Sequence, residues 1–373
     1  MSHRTVDTMR GSKYVIGVWL AITVVVVVLS RVVEGTTVVR VAQAYSIFVG
    51  LMLYRYQSWE LKTFFICIVF AFLFLVKLFA YGDAYLTGFM PMGILALGLL
   101  YYRIFRRSPK IFVSIWYIAL LLSCVYVVAM VEILGNDTNN VVRGSRNHIT
   151  TLILPLFVAL FVSARCSEPY RNKMKRIYVL GLATALILIM YTGRTGVMSA
   201  AIIVLAVFLA VVQSRHWRTL FVVFGSFLIA SFIFSPDISG IFETSSGLQR
   251  LDEEQVAEDI RFLLWAEAVG YMTDSSYALG VPSGFWTENL SGGLTVHNSY
   301  FEIYGLYGWI GLIVAMTVII LMFYRVAEVD FIVSILVFAL LLRSVFDTTL
   351  LDLVLGPVYI FITTVVVRQG VTR

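Results

Sequence analysis

His297 and a small set of arginines are the side chains here whose types and settings suit chemistry. Of the four histidines, His297 stands where a long polar stretch meets an apolar run; His3 lies in a basic tail, His216 in an Arg-His-Trp-Arg loop, and His148 beside Asn136-Asp137-Thr138-Asn139-Asn140 is the weaker candidate. An imidazole titrates near pH 7 and can take a proton from an attacking hydroxyl, though a lone histidine can equally be structural. Arg194 sits in Tyr191-Thr192-Gly193-Arg194-Thr195-Gly196, a hairpin between two apolar runs so tight that the guanidinium must lie at a membrane surface. The flanking glycines would let a ligand approach the backbone. Two readings are open: an arginine reaching lipid headgroups, or capture of an anion, since a planar, permanently charged guanidinium offers paired bonds to phosphate oxygens. Arg343 with Asp347, and Arg40 with Gln43, are polar pairs about one helical turn apart at or near membrane depth. Such groups need partners or a wet cavity, so Arg343 and Asp347 form either an ion pair at a helix end or part of a site.

The elements that position these groups follow from composition. Hydrophobic residues make up 60% of the 373 positions and charged residues 13%, outside the range of soluble globular domains. A soluble enzyme is excluded. Windows of about twenty residues predict about twelve helical spans, near 14–33, 37–54, 61–80, 86–102, 111–134, 148–164, 176–191, 195–213, 218–235, 299–324, 329–345 and 348–367. The chain therefore reads as all-α, one transmembrane domain over residues 1–373. No small-residue cleavage site follows the first run, which reads as a retained helix. The net charge of +6 is distributed among short loops rather than gathered on one face, which argues against a nucleic-acid partner. Cys67, Cys124 and Cys166 are not placed for a disulfide or a CxxC site.

With the N-terminus inside, the cytoplasmic segments collect most of the lysines and arginines, which sets both termini in the cytoplasm. The one long connection, 236–297, is then external, and loops of that length are usually functional or disordered. Asp252 with Gln255 resembles a capping box, after which Val256, Ile260, Leu263 and Leu264 recur at helical spacing. The spacing predicts an amphipathic helix on the outer face. Its aromatic companions Phe262, Trp265, Tyr271, Tyr277, Phe285 and Trp286 suit a lid over a site, while a surface helix that only closes the bundle is the plainer reading. Arg31, Arg40, Arg143, Arg146, Arg194, Arg250, Arg261 and Arg343 remain on the outer side or within spans and run against the orientation rule.

The stretch His297-Asn298-Ser299-Tyr300-Phe301-Glu302-Ile303-Tyr304-Gly305-Leu306-Tyr307-Gly308-Trp309-Ile310-Gly311-Leu312 resembles the signature of the bacterial O-antigen polymerase and O-antigen ligase superfamily. There a His-Asn pair opens a span and a Gly-x-x-Gly follows at the spacing of Gly308 here. Arg261 with Trp265, followed by Leu279-Gly280-Val281-Pro282-Ser283-Gly284, is similar to the loop element that precedes that signature. Gly193-Arg194-Thr195 is similar to the superfamily's small-Arg-small motif. The resemblance covers roughly residues 190–315; before that it rests on hydropathy alone. The Arg-x10-Gly spacing of some polymerase loops is absent after Arg143, Arg194, Arg250 and Arg261.

The resemblance implies a metal-independent glycosyltransferase of GT-C-like architecture in the bacterial inner membrane, without a cofactor and with its site on the periplasmic side. Its donor would be an undecaprenyl-diphosphate-linked oligosaccharide, with a flippase and a chain-length regulator as further partners beside the lipid bilayer. An acceptor hydroxyl would attack the anomeric carbon with inversion, His297 taking its proton while Arg194 and Arg261 stabilise the departing diphosphate. Asn298, Tyr300, Trp265, Glu302, Arg143, Arg146, Arg250 and Arg343 are the expected substrate-binding residues. Glu302 is the rival base, but five helical positions place it about 140 degrees around the axis from His297. No His-x-x-x-His, Asp-x-Asp or cysteine-rich set appears on the outer face, so arginine rather than a divalent metal is expected to neutralise the diphosphate. A polymerase is favoured over a ligase acting on lipid A core, because the acidic, aromatic outer loop suits two similar saccharides. A transporter for the same lipids is the reading from another class; its usual paired halves have no counterpart in this sequence.

Overall fold

The computed structural model describes residues 90–135, 141, 147–171, 173–192, 194–213, 260–282, 284–290, 298–346, 350 and 356–370, with helical positions at 69, 72, 73, 75, 76 and 79. Every regular element among these residues is helical: α1 (Met90–Arg107), α2 (Pro109–Val128), α3 (Asn147–Arg165), the single turn α4 (Glu168–Arg171), α5 (Met174–Tyr191), α6 (Arg194–Gln213), α7 (Ile260–Thr273), α8 (Phe285–Asn289), α9 (Ser299–Val329), α10 (Phe331–Val345) and α11 (Gly356–Gly370). Five of them, α2 with its π-helical extension to Ile133, α3, α5, α6 and α9, are long and apolar enough to cross a membrane. The protein is therefore helical and membrane-embedded. The predicted spans from 86–102 to 195–213 and from 299–324 to 348–367 coincide with α1, α2, α3, α5, α6, α9, α10 and α11 apart from their ends. The last is described from Gly356 on, with Pro357, which has no N–H to donate, in its first described turn. The spans expected at 14–33, 37–54 and 218–235, and most of 61–80, lie outside the described residues.

Side-chain links fix how the helices run. Arg165 at the end of α3 reaches Gln213 at the end of α6 (2.8 Å) and Asp330 at the start of α10 (2.5 Å). Tyr170 donates to the carbonyl of Lys110 at the start of α2. Arg368 lies over the Tyr102 ring at 5.3 Å, so α1 and α11 finish together. All these groups share one end of the bundle, the Asp330 end. Arg103, Arg106, Arg107, Lys110, Arg165, Lys173, Lys175, Arg176, Arg325 and Arg368 collect there. At the opposite end Tyr191 donates to Glu132 (2.7 Å) and Tyr300 to the Leu341 carbonyl (3.4 Å). Arg343 lies at that end too.

The core centres on α3, which is buried on every side: Ile149, Leu152, Ile153, Phe157, Val158 and Phe161 have no exposed surface. A helix apolar all round belongs inside a bundle. Lipid tails are as apolar as leucine, so close packing rather than escape from water holds such helices together. Tyr101, Phe105, Phe112, Trp116 and Phe361 accordingly interlock edge-on or tilted, with Phe112 and Phe361 centroids 4.8 Å apart. Ser163 and Thr184 return their hydroxyls to the carbonyls one turn back, and Thr184 also pairs with the Cys124 thiol of α2. Ile118, Leu122, Ile313, Ile320 and Leu321 remain on the exposed, lipid-facing surface.

The longest helix is broken. Within the 31 residues of α9, Gly308 takes φ +65 and ψ −167, a backbone region closed to side chains. The segment after α7 docks there. Trp309 N–H donates to the Ala278 carbonyl and Val281 N–H to the Gly305 carbonyl, both at 3.1 Å, so the groups released by the break find new partners. A Cβ on Gly308 would stand 2.5 Å from the Ala278 oxygen, and one on Gly280 2.6 Å from the Gly305 oxygen. Trp309 Nε1 also donates to the Met272 carbonyl (2.9 Å) and the Tyr304 hydroxyl to the Tyr277 carbonyl (2.6 Å). Only the part of the expected amphipathic helix from Ile260 on lies among the described residues; it is helical as α7, with one correction: Leu264, Ala268 and Met272 form the buried stripe, whereas Leu263 is 55% exposed. One residue turns the side chain by about 100 degrees, and α9 receives only a narrow face of α7. The capping box at Asp252 lies outside the described residues.

Candidate functional site

Arg343 is the one charged residue among the described, buried positions, at 2% exposure. Its Nε and one terminal nitrogen donate to the Thr151 hydroxyl at 3.1 and 2.7 Å, and the other terminal nitrogen donates to Thr195 at 3.3 Å. The three residues belong to α10, α3 and α6. A buried guanidinium needs partners for its donors, and two threonines near helix starts supply hydroxyls to three of them. Thr195 immediately follows Arg194, so the buried arginine holds the residue beside the predicted anion-capturing one. The hairpin is fastened twice more: Thr192 donates to the Leu188 carbonyl, and Tyr191 reaches Glu132. Ser199 donates to the Thr195 carbonyl at 2.7 Å, one turn into α6.

The start of α9 lies at the same end. Asn298 is 4% exposed, and its side-chain oxygen accepts from the N–H groups of Tyr300 (2.9 Å) and Phe301 (3.4 Å), capping the helix. The residue expected to bind substrate thus also caps α9, which is a structural reason for an asparagine directly after His297. Ser299 accepts from Leu350 N–H (3.2 Å), and Tyr300 bonds Leu341, one helical turn or less before Arg343. Tyr300 too is occupied with packing. Trp265 lies between Phe301 (centroids 6.4 Å) and Phe346 (5.6 Å), joining α7 to the start of α9 and the end of α10. Arg261 precedes Trp265 by one turn on α7, and Glu302 is half-buried in the first turn of α9.

The described backbone thus brings six predicted positions to the Arg343 end: Arg194 opens α6, Arg261 and Trp265 lie in the first two turns of α7, and Asn298, Tyr300 and Glu302 begin α9. The side chains of Arg194 and Arg261 lie outside the described residues, as do His297, Arg143, Arg146, Arg250 and Asp347. Sequence reasoning missed Thr151 and Thr195 as partners of Arg343. The available signal was Thr150-Thr151 inside an apolar span, where a hydroxyl usually looks for a polar neighbour. It also missed the docking role of Gly280, Gly305 and Gly308. Acidic side chains stand around the same end: Glu132, Glu267, Glu288, Glu302 and Asp274, whose carboxylate is held below its usual range by hydrogen bonds from Ser276. Among the described residues no group of three histidine, cysteine or carboxylate side chains could hold a metal ion. Chemically, this end offers arginines for an anionic group, aromatic faces and carboxylates for hydroxylated ligands, and an interrupted helix that anchors the covering segment. No family model matches the chain, and no curated protein or solved structure matches it.

Proposed function

We propose that the protein is a membrane glycosyltransferase that polymerises undecaprenyl-diphosphate-linked oligosaccharide repeat units, of the O-antigen polymerase type. The observation that carries this reading is the meeting, at the Arg343 end, of the Arg194 helix start, the Arg261 helix and the capped start of α9 directly after His297. A lipid diphosphate needs cations at the membrane surface beside a proton acceptor, and this end carries the residue types for both. The acceptor hydroxyl loses its proton to His297 as it attacks the anomeric carbon; the bond to the diphosphate breaks, and Arg194 and Arg261 receive the charge.

In this reading the Arg343 end faces the periplasm, both termini are cytoplasmic, and the full chain has about twelve spans in a GT-C-like arrangement. The basic residues gathered at the Asp330 end support that orientation. The test is reconstitution with lipid-linked repeat units alone. A ladder of longer lipid-linked products is the expected result. Transfer only when lipid A core is added would replace polymerase with ligase, and movement of the lipid across the bilayer without a new glycosidic bond would replace both with transport.

A further inference from the structure

We infer that Arg343 is a positioning residue that acts through Arg194, an inference that rests on the glycosyltransferase reading above. The guanidinium ties Thr151 of α3 to Thr195 of α6 from the far side of both helices. Arg343 itself is too deeply buried to meet a saccharide. Joining three helices with a buried charge is unfavourable compared with apolar packing of equal volume, so packing alone does not account for its place. What distinguishes the place is Thr195, the neighbour of Arg194. Hydrogen bonds in a low-dielectric interior are directional and strong, and two of them on the first turns of α3 and α6 set where the backbone of residue 194 stands. The same helix takes the Tyr300 hydroxyl at Leu341, so α10 registers the start of α9 against the start of α6. Misplacing a charge-stabilising group by about 1 Å can lower turnover by about a hundredfold.

The experiment is a mutant cycle on the reconstituted full chain, with folding followed separately by thermal unfolding. Thr195→Val and Arg343→Lys should each lower kcat by about ten- to a hundredfold, and Thr195→Ser, which keeps the hydroxyl, should recover most of the loss. In an Arg194→Lys background Thr195→Val should lower kcat by less than about threefold more, because the group it positions is already altered. Multiplying losses would overturn the inference and leave the proposed function standing. An Arg194→Lys variant of normal rate would remove both. Arg194→Cys gives a readout independent of turnover: its labelling by a membrane-impermeant maleimide should change by about fivefold or more when Thr195→Val is added. An unchanged labelling rate would refute positioning whatever the catalytic result.

Discussion

Replacing Gly308 by alanine should undo the docking of the covering segment while leaving the transmembrane bundle folded. At φ +65 and ψ −167, a side chain costs about 1–3 kcal/mol in backbone strain. The new Cβ would also meet backbone atoms, the Ala278 oxygen at 2.5 Å and the Leu279 carbonyl carbon at 2.6 Å, and these cannot rotate away as a side chain would. Relief by separation gives up the two 3.1 Å backbone hydrogen bonds at Trp309 and Val281, each worth about 1 kcal/mol net. The sum is about 3–5 kcal/mol, and at about 1.4 kcal/mol per decade the undocked population should rise about a hundredfold to several thousandfold. Hydrogen exchange of residues 278–281 in nanodiscs reads that population directly. Gly135→Ala is the control: its φ is also +65, but nothing lies within 4 Å of the added carbon, so it should leave exchange at 278–281 unchanged. Wild-type protection in Gly308→Ala would refute the account of the break as a docking site.

His297→Ala should lower chain extension by about two to four orders of magnitude while retaining bound lipid-linked saccharide, and the wild-type rate should fall at low pH as the imidazole protonates; poor donor binding with no pH effect would instead make His297 a hydrogen-bond donor. Arg194→Lys keeps charge but loses the planar fork, so chain extension should drop sharply; a near-normal ladder would favour contact with lipid headgroups. Asp330→Ala removes a helix cap that accepts from Ile332 and Val333 N–H and also the partner of Arg165. It should destabilise the bundle by about 1–3 kcal/mol, read as a lower unfolding temperature with little change in donor affinity. An unshifted temperature would mean the Asp330 contacts contribute nothing net.

The membrane spans were legible because lipid imposes one rule, a helix of about twenty apolar residues, and charged residues mark its ends. Arg343 was recognisable as an anomaly but not as a tie between α3 and α6, because Thr151 and Thr195 lie 192 and 148 positions away along the chain. Gly308 was noticed for its spacing from His297. Its conformational work could not be read there, because a glycine in an apolar helix has the same letter whether it packs, bends or breaks. Asn298 shows the reverse case: its capping role is local, readable from an asparagine directly before an apolar helical run that carries a glutamate in its first turn, and the functional resemblance drew attention away from it.

The break in α9 also fixes a height. An unbroken helix of 31 residues would be about 46 Å long, well beyond a hydrocarbon layer of about 30 Å. From Trp309 onward about 21 residues remain, about 31 Å, which matches that layer. Trp309, 39% exposed, then sits at one aqueous boundary, with Tyr324 and Arg325 near the other, as amphipathic rings and long basic side chains do at membrane surfaces. On that placement the nine residues from Ser299 to Tyr307 would rise about 14 Å above the acyl chains. That is the headgroup stratum, where the diphosphate of a polyprenyl lipid floats while its tail stays below. If the proposed glycosyltransferase reading holds, that single glycine is the ruler of reaction depth, and bilayers thicker or thinner by several ångströms should change the rate of chain extension.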